Sequence, residues 1–484
     1  MATAVSTHQI RVDHALSCPA MGQTSGPVTI AIAAGQITSI TPALRGQTAR
    51  LALPALVNAH DHGRGLAPFT FGALDQSLEL WLPALKQKPP ISVYSQTALA
   101  LAKLAHSGVG SVVHCHNPSG GDLWAETAAV CQAARDVGLR LAFAVPMSDR
   151  NALAYGDSQK LLALLPEGDR HQVSQLWDPT TLSPQAQVER ANQLAAAFAG
   201  DLIDFQYCPR GPQWCSNQLL EAIAAASADT GRPIHTHLLE SKRQREWADA
   251  HYPQGLVRYL DDIGFLSPLL TVAHGVWLRP DEQELLAERG VVVAVNTSSN
   301  LRLRSGIPPY QKMRAAGLAV AFGLDGLSLH GSEDFFEELR LNYHLHAQAD
   351  LYPLTPMEML EAHRHGAWAV THRADVGGLQ VGQAADIAVL DYGAMTPDVV
   401  PEVCPAPELV LNRASQHFVT DLWVNGRRVL KAGALLGLDE AGLTAEVQAA
   451  TQSQSQHVYS LQPLVQRYQD ALRQFYGQRL HQQS

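Results

Sequence analysis

Five His-x-His pairs occur in the sequence, at 60/62, 114/116, 235/237, 344/346 and 363/365. With 21 histidines among 484 residues, a random arrangement would contain about one such pair. Imidazole nitrogens and carboxylate oxygens are the ligands that a divalent ion such as zinc or iron(II) accepts. The pairs at 344/346 and 363/365 lie in stretches of helical pattern, where residues two apart diverge. We interpret those two pairs as surface or packing histidines and keep the other three as candidates for chemistry.

The elements around these histidines are short apolar strands, each followed by a helix-like stretch. The eight strands are predicted at 52–58, 109–115, 139–146, 202–208, 232–238, 269–274, 290–296 and 317–325. Continuous apolar runs alternating with amphipathic helices indicate parallel strands buried on both faces, and eight of them predict a closed (β/α)8 barrel. Reactive groups of such a barrel lie at the C-terminal ends of its strands. Those positions hold His60, His62, His237, His274 and Asp325.

Both ends of the chain have a different sequence pattern, in which short predicted strands are separated by turn residues. Two strands are predicted around Gly35, and a hairpin is predicted to turn at Asn425-Gly426. We therefore predict an α/β chain in which 54–377 form a TIM-like barrel. Residues 1–53 and 378–440 together form a small β-sandwich domain, and 441–484 form a C-terminal helical extension.

The composition excludes several classes of partner. The net charge is −10 and no block of Lys and Arg appears, which argues against nucleic acid and anionic membranes. No apolar run approaches the roughly 18 residues that span a bilayer, and the N-terminus lacks the apolar core of a secretory signal. The six scattered cysteines indicate buried free thiols. We expect a soluble cytoplasmic protein that acts on a small molecule.

Several segments resemble the amidohydrolase superfamily, in its mononuclear branch of cytosine-, guanine- and triazine-type aminohydrolases. They appear in family order across nearly the whole chain, as LPALVNAHDHGRG, IHTHLLES, VAHGVWLRPDE, SSNLRLRSGIPP, VAFGLDG, GLQVGQAADIAVLD and DLWVNGRRVLKAG. The resemblance implies one divalent ion per chain, zinc or iron(II), held by His60, His62, His237 and Asp325. The bridging lysine of binuclear relatives is missing from LIDFQYCPR, which favours a single ion. The resemblance also implies a homo-oligomer.

The same resemblance assigns the remaining catalytic roles. Asp325 serves as ligand and base, Glu240 protonates a ring nitrogen, and His274 hydrogen-bonds the attacking oxygen. Each has a structural alternative: Asp325 as a cap, Glu240 as a charge favoured at a helix N-terminus, and His274 as a packed core residue. His235 has no role in the family, so we interpret it as structural.

Substrate contacts are predicted at three positions. Arg210 and Gln213 resemble the segment where guanine-deaminase-like relatives place an arginine that recognises a carbonyl, and pairing of Arg210 with a structural carboxylate is the alternative. Trp81, like Phe71, lies in the long first loop and either covers a planar substrate or packs in the core. His114, His116 and Cys115 end the second strand, where packing, support of the ligands and substrate contact all stay open.

Taken together, the sequence predicts a metal-dependent hydrolytic deaminase of an aminated N-heterocycle, such as an oxo-purine, pterin, pyrimidine or triazine. One alternative keeps the metal site but cleaves an amide, urea or carbamate C–N bond or a ring C–halide bond. An alternative of another class is a non-catalytic scaffold that has kept the barrel.

Overall fold

A computed structural model describes residues 7–17, 24–46, 49–150, 153–176, 182–346, 354–400 and 403–483. The strands in these ranges are β1 Thr7–Val12, β2 His14–Leu16, β3 Thr24–Ser25, β4 Val28–Ala33, β5 Gln36–Pro42, β6 Arg50–Pro54, β7 Leu56–Asp61, β8 Val109–Cys115, β9 Arg140–Met147, β10 Ile203–Pro209, β11 Ile234–Leu238, β12 Leu270–His274, β13 Val292–Val295, β14 Ala319–Phe322, β15 Ile387–Asp391, β16 Val419–Val424, β17 Arg427–Lys431 and β18 Ala434–Leu435.

The α-helices of the same ranges are α1 Leu78–Ala84, α2 Val93–His106, α3 Leu123–Val137, α4 Ser158–Ala163, α5 Glu167–Leu176, α6 Pro184–Phe198, α7 Asn217–Thr230, α8 Lys242–His251, α9 Leu256–Asp262, α10 Pro280–Glu288, α11 Thr297–Arg302, α12 Tyr310–Ala315, α13 Phe335–His346, α14 Pro356–Thr371, α15 Tyr392–Met395, α16 Ala406–Arg413, α17 Glu440–Ser453 and α18 Ser455–Gly477.

Strands β7 to β14 form one eight-stranded sheet whose parallel strands follow each other in sequence order. Each of these strands overlaps one of the eight apolar runs predicted from the sequence, so the barrel prediction is confirmed. At the seam between β14 and β7, the Asp325 N–H donates to the His60 carbonyl oxygen at 2.9 Å. The seam therefore brings the end of the last strand directly against the first.

The small β domain joins both ends of the chain, as predicted. A three-stranded sheet has the order β1-β4-β5, and a seven-stranded sheet has the order β18-β17-β16-β15-β6-β2-β3. Apolar side chains of the two sheets, among them Ile30 and Val389, share one core. The predicted hairpin joins β16 to β17 through Asn425 and Gly426, with φ of 50° and 72°, the positive values that a type I′ turn requires. The exact domain boundaries stay a prediction.

The C-terminal extension packs across loops at the mouth of the barrel. Helix α18 buries Leu464, Val465, Tyr468, Leu472 and Phe475 at helical spacing, as the sequence predicts, while Leu461 is only half-buried. It contacts α1, in the loop after β7, and its Tyr468 hydroxyl donates to the Leu153 carbonyl oxygen at 2.5 Å. The extension thus covers the loops after the first and third barrel strands.

Two composition-based expectations can be compared with the described ranges. Cys115, Cys131, Cys208 and Cys215 are buried free thiols, Cys404 is a partly exposed one, and Cys18 lies outside the described residues. Among the helices of those ranges, none has both the length and the hydropathy of a bilayer span.

Candidate metal centre and active site

The four predicted ligands converge at the mouth of the barrel. His60 lies on β7, His62 follows that strand, His237 lies on β11, and Asp325 follows β14. The His62 Nε2 lies 3.3 Å from the His237 Nε2 and 3.1 Å from the Asp325 Oδ1, and the His60 Nε2 lies 3.5 Å from the same oxygen. Bonds of about 2.0–2.1 Å at tetrahedral angles place such atoms about 3.3 Å apart. These three separations are close to that value, and the ligand atoms of His60, His62 and His237 lie within 4.8 Å of one another, so the site suits a divalent ion.

Backbone carbonyls orient two of the imidazoles. The Nδ1 of His62 donates to the Cys115 carbonyl oxygen at 2.8 Å, and the Nδ1 of His237 donates to the Arg210 carbonyl oxygen at 2.8 Å. A proton on Nδ1 leaves the Nε2 lone pair free for an ion. The His60 Nε2 is buried and has no hydrogen-bond partner among the described residues. Such an orphaned nitrogen beside a carboxylate is itself a sign that an ion belongs there.

Electrostatics keep the ligands in the forms that bind a cation. Burial lowers the pKa of His60 to about 3 and the pKa of His237 well below its usual value, so both rings are neutral at pH 7. Burial opposes ionisation of Asp325, but its contacts with His60 and His62 and the charge of Arg64 outweigh that and hold its pKa well below the usual range. Asp325 is therefore an anion.

The position of Asp325 depends on neighbours that the sequence reading did not identify. The Ser299 hydroxyl donates to the Asp325 Oδ2 at 2.5 Å, and the Arg64 Nη1 lies 3.4 Å from the Oδ1 and also bonds the Asp325 carbonyl oxygen. The backbone of Asp325 is left-handed, with φ of 58°, and Gly326 follows it. A strained conformation of this kind is common where a functional side chain must be aimed. Ser299 and Arg64 both lie in segments that carry the family resemblance.

Glu240 and His274 face each other beside the ligands. The Glu240 Oε2 lies 3.8 Å from the His274 Nε2, and the Glu240 Oε1 and the His274 Nε2 are buried without hydrogen-bond partners among the described residues. Burial, reinforced by the charge of Asp325, raises the pKa of Glu240 well above its usual value. Burial and the charge of Asp325 therefore favour the protonated form of Glu240 beside an ionised Asp325, a pairing of the kind that acid–base catalysis uses.

Local structure fixes both side chains. Glu240 immediately precedes α8, where the Ser241 hydroxyl caps the helix by accepting from the Gln244 N–H at 3.2 Å. The Gln244 Oε1 accepts from the Glu240 N–H at 2.8 Å, which pins the residue to the first turn. His274 ends β12 with φ of 72°, and its Nδ1 lies 2.9 Å from the Asn300 Oδ1. Asn300, from the SSNLRLRSG segment, was also missed.

His235 faces the barrel interior rather than the outer core. Its Nε2 lies 2.8 Å from the His60 Nδ1, and the two rings are stacked with centroids 5.1 Å apart. The structural interpretation of His235 stays a prediction, and the structure adds that this residue contacts the predicted ligand His60. The sequence does show His235 as one member of the 235/237 pair. Alternation along β11 alone does not say which residue of β7 lies opposite it.

The predicted substrate contacts divide into two groups. The Arg210 guanidinium lies over the Trp214 ring at 5.5 Å, and no carboxylate of the described residues pairs with it. Pairing with a structural carboxylate is therefore not observed. Gln213 is buried, and its Nε2 has no partner within the same ranges. Trp81 is 2% exposed, packs in one apolar cluster with Phe71, and donates its Nε1–H to the Ala73 carbonyl oxygen, so its substrate contact stays a prediction.

The other histidine pairs are supporting residues. The His114 Nε2 lies 3.3 Å from the His116 Nδ1, whose ring bonds Glu126 at 2.6 Å, and the His114 ring lies tight against Gly63. The contacts among His114, His116 and Glu126 therefore support the loop that carries His62. The pairs at 344/346 and 363/365 lie on α13 and α14, away from the ligands, as predicted.

Comparisons with known proteins agree with this site. The model of the amidohydrolase family matches residues 51–429. Relatives include 5-methylthioadenosine/S-adenosylhomocysteine deaminases of Bacillus cereus (strain AH820) and Bacillus anthracis, each 28% identical over 411 residues, which cover 81% of this chain and 85% of the relative.

Similar solved structures share the fold. A zinc-bound adenosine deaminase from Xanthomonas campestris has a TM-score of 0.76 at 23% identity and covers 92% of this chain and 98% of its own. An atrazine chlorohydrolase from Arthrobacter aurescens TC1, complexed with zinc and atraton, has a TM-score of 0.76 at 21% identity and covers 91% and 99%. These findings confirm the resemblance predicted from the motifs. The chain belongs to the amidohydrolase family.

Proposed function

We propose that this protein is a metal-dependent hydrolytic deaminase that releases ammonia from an aminated N-heterocycle, such as an oxo-purine, pterin, pyrimidine or triazine. The observation that carries the proposal is the buried Glu240 carboxyl beside His274 and the ligand set, with a raised pKa and an Oε1 that has no hydrogen-bond partner among the described residues. An amidine carbon becomes electrophilic when its ring nitrogen is protonated, and Glu240 is the acid placed to do so. The deaminase relatives support the same reaction class.

His60, His62, His237 and Asp325 would hold one divalent ion, zinc or iron(II), and zinc in two of the similar structures supports a divalent ion here. When bound, the ion supplies hydroxide at neutral pH by lowering the pKa of water from about 15.7 towards roughly 7. The donor set of imidazole and carboxylate suits either metal.

The chain's own residues handle the protons. Asp325 is ionised and accepts the proton of the attacking water. Glu240 carries the proton that it delivers to the ring nitrogen. Asn300 accepts from the His274 Nδ1, so the His274 Nε2 presents a lone pair that accepts a hydrogen bond from the attacking water and orients it.

We assign Arg210, whose backbone carbonyl oxygen contacts His237, and Gln213 to the substrate. The Arg210 guanidinium lies over the Trp214 ring and is unpaired with any described carboxylate, so its N–H groups are available to a ring oxygen. The orphaned Gln213 Nε2 adds a second donor. An oxo-substituted ring is therefore the favoured substrate class.

The alternative reaction keeps the ligands and changes the leaving group to an amide, urea or carbamate nitrogen or to a halide. Halide departure does not require protonation of a leaving amine, and the fold is shared with an atrazine chlorohydrolase. The non-catalytic scaffold is disfavoured because all four ligand positions are occupied by ligating residue types.

The test combines metal analysis with a substrate panel. We expect about one zinc or iron per chain by mass spectrometry, and ammonia from one class among aminopurines, aminopterins, aminopyrimidines and aminotriazines. Metal without ammonia, with turnover of amides, ureas, carbamates or halogenated triazines, would replace the proposal by its alternative. Absence of metal after supplementation would overturn the ligand set.

Two further expectations complete the proposal. We propose a cytoplasmic location, from the free thiols, and homo-oligomers, from the family resemblance. Cell fractionation and light scattering of the purified protein test them.

A further inference from the structure

The His60 ring serves two clusters at once. Its Nε2 faces Asp325 and the predicted metal centre, while its Nδ1 lies 2.8 Å from the His235 Nε2 and 3.6 Å from the Cys115 Sγ. The Cys115 Sγ in turn lies 4.0 Å from the Cys208 Sγ. We call His60, Cys115, Cys208 and His235 the lumen cluster. It lies between β7, β8, β10 and β11, and the proposed catalytic mechanism uses only His60 of its members.

Three members of the lumen cluster, His60, Cys115 and His235, offer ligand atoms within 4.8 Å of one another, and Cys208 adjoins Cys115. Bonds of about 2.3 Å to sulfur and 2.0–2.1 Å to nitrogen at tetrahedral angles give N···S separations of about 3.6 Å, S···S of about 3.8 Å and N···N of about 3.3 Å. The His60–Cys115 and Cys115–Cys208 separations are close to these values. The two imidazoles must move apart by only roughly 0.5 Å, as an ion replaces the proton between them.

The side chains of the lumen cluster are buried, and their hydrogen-bonding capacity is only partly used. All four side chains are at most 3% exposed. The His235 Nδ1 has no hydrogen-bond partner among the described residues, and the contacts of Cys115 with His60 and Cys208 are long ones through sulfur. A fully buried set of two thiols and two imidazoles without a carboxylate selects thiophilic ions over hard ions.

We propose that the lumen cluster binds one thiophilic cation, of the cadmium, mercury(II) or copper(I) class, with His60 shared between that ion and the catalytic one. The proposal rests on the proposed metal centre only because His60 belongs to both sites. Binding takes away the His60 Nδ1 proton, which goes to solvent together with the thiol protons. The His60 ring would then bridge two cations as an imidazolate, and its movement away from His235 would disturb the catalytic ligand set. Such an ion therefore inhibits the enzyme without replacing the catalytic metal.

The test titrates the full-length zinc-loaded protein with cadmium chloride. We expect one cadmium per chain after desalting, with the zinc retained, and an ultraviolet thiolate-to-cadmium charge-transfer band that rises to the same stoichiometry. Cys115→Ser should abolish the band and weaken cadmium binding by roughly 100-fold. Cys131→Ser, which removes a buried thiol on α3 outside the cluster, is the matched control and should keep the band.

Three results would overturn the proposal: no band in the zinc-loaded protein, release of one zinc for each cadmium bound, or an unchanged band in Cys115→Ser. Should Cys115→Ser fail to fold, Cys208→Ser removes the other thiol, and an undiminished band in that variant would contradict the proposal equally. The two proposals fail separately. Ammonia release by the zinc-loaded protein before cadmium is added, without a cadmium band afterwards, refutes only the lumen site. A band in a protein that released no ammonia before the addition refutes only the deaminase.

Discussion

The Asn300 Oδ1 lies 2.9 Å from the His274 Nδ1, in a contact where both side chains are fully buried. An amide oxygen can only accept, so this contact favours the tautomer in which Nδ1 carries the proton, while the Asn296 Nδ2 lies farther from that nitrogen, at 3.3 Å. Asn300 is therefore a positioning residue, which acts through His274.

Replacing Asn300 tests that role. We expect Asn300→Leu to lower kcat roughly 10- to 100-fold with the metal content unchanged, because the His274 ring loses its fixed tautomer. Asn300→Asp keeps the acceptor and adds a negative charge, which favours protonated His274, so the acid limb of the kcat–pH profile should move to higher pH. Asn412→Leu on α16 is the control. Full kcat in Asn300→Leu would show that the contact is only structural.

Glu240 should be the acid of the reaction. Because its pKa is raised, the protonated form is present below that pKa, and activity should fall as pH rises through it. We expect Glu240→Gln to lower kcat by roughly 10² to 10⁴ and to remove the basic limb of the profile. Glu246→Gln, on the helix α8 that follows Glu240, is the matched control and should behave as wild type. Unchanged turnover in Glu240→Gln would show that Glu240 is not the acid of the reaction.

Metal retention should depend on the predicted ligand His237. We expect His237→Gln to purify with little metal and to bind added zinc at least roughly 100-fold more weakly, since one of four ligands is lost. His365→Gln is the control, because that ring bonds only the Val320 carbonyl oxygen on the outside of the barrel. Equal metal content in the two variants, measured by mass spectrometry, would exclude His237 from the ligand set.

Arg210 should recognise an oxygen on the substrate ring. Loss of a charged hydrogen-bond donor is worth about 1.5–3 kcal/mol, so we expect Arg210→Met to lower kcat/KM for an oxo-substituted ring by roughly 10- to 100-fold. A ring without the oxygen should lose much less. Arg232→Met is the matched control, since Arg232 also stacks on an aromatic ring, that of Tyr207 at 5.3 Å, but at the opposite end of the barrel strands. Equal losses on both substrates would contradict the assignment.

The sequence was sufficient for the barrel because each buried strand is an apolar run with its own turn signals. It also located Asp325, which follows a strand end, while Glu240 was located through the family resemblance. It did not locate the partners that cross the barrel. His60 lies on the first strand and His235 on the fifth, and the 2.8 Å contact between them depends on the tilt of the closed sheet. Local alternation says which way a side chain points, but not which residue is opposite.

A last prediction concerns the support of the loop that follows β8. The Glu126 carboxylate bonds the His116 Nε2 at 2.6 Å, accepts from the Ser119 hydroxyl at 2.6 Å and accepts from the Gly121 N–H at 3.1 Å. Burial opposes ionisation of Glu126, but these hydrogen bonds hold its pKa at about 2. The folded chain therefore binds fewer protons here than the unfolded chain at acidic pH. The carboxylate stabilises the fold above about pH 4.5, and this contribution is lost as pH falls towards 2.

Replacing this carboxylate should make the loss visible. We expect Glu126→Gln to lower the free energy of unfolding by ~2 kcal/mol at pH 7, the value of hydrogen bonds to a charged group. The difference from wild type should shrink at pH 3, where the wild-type contribution has itself been largely lost. Urea denaturation at the two pH values measures both quantities, with Glu189→Gln on the exposed face of α6 as control. If Glu126→Gln differs from wild type equally at both pH values, the charge of Glu126 does not stabilise this loop.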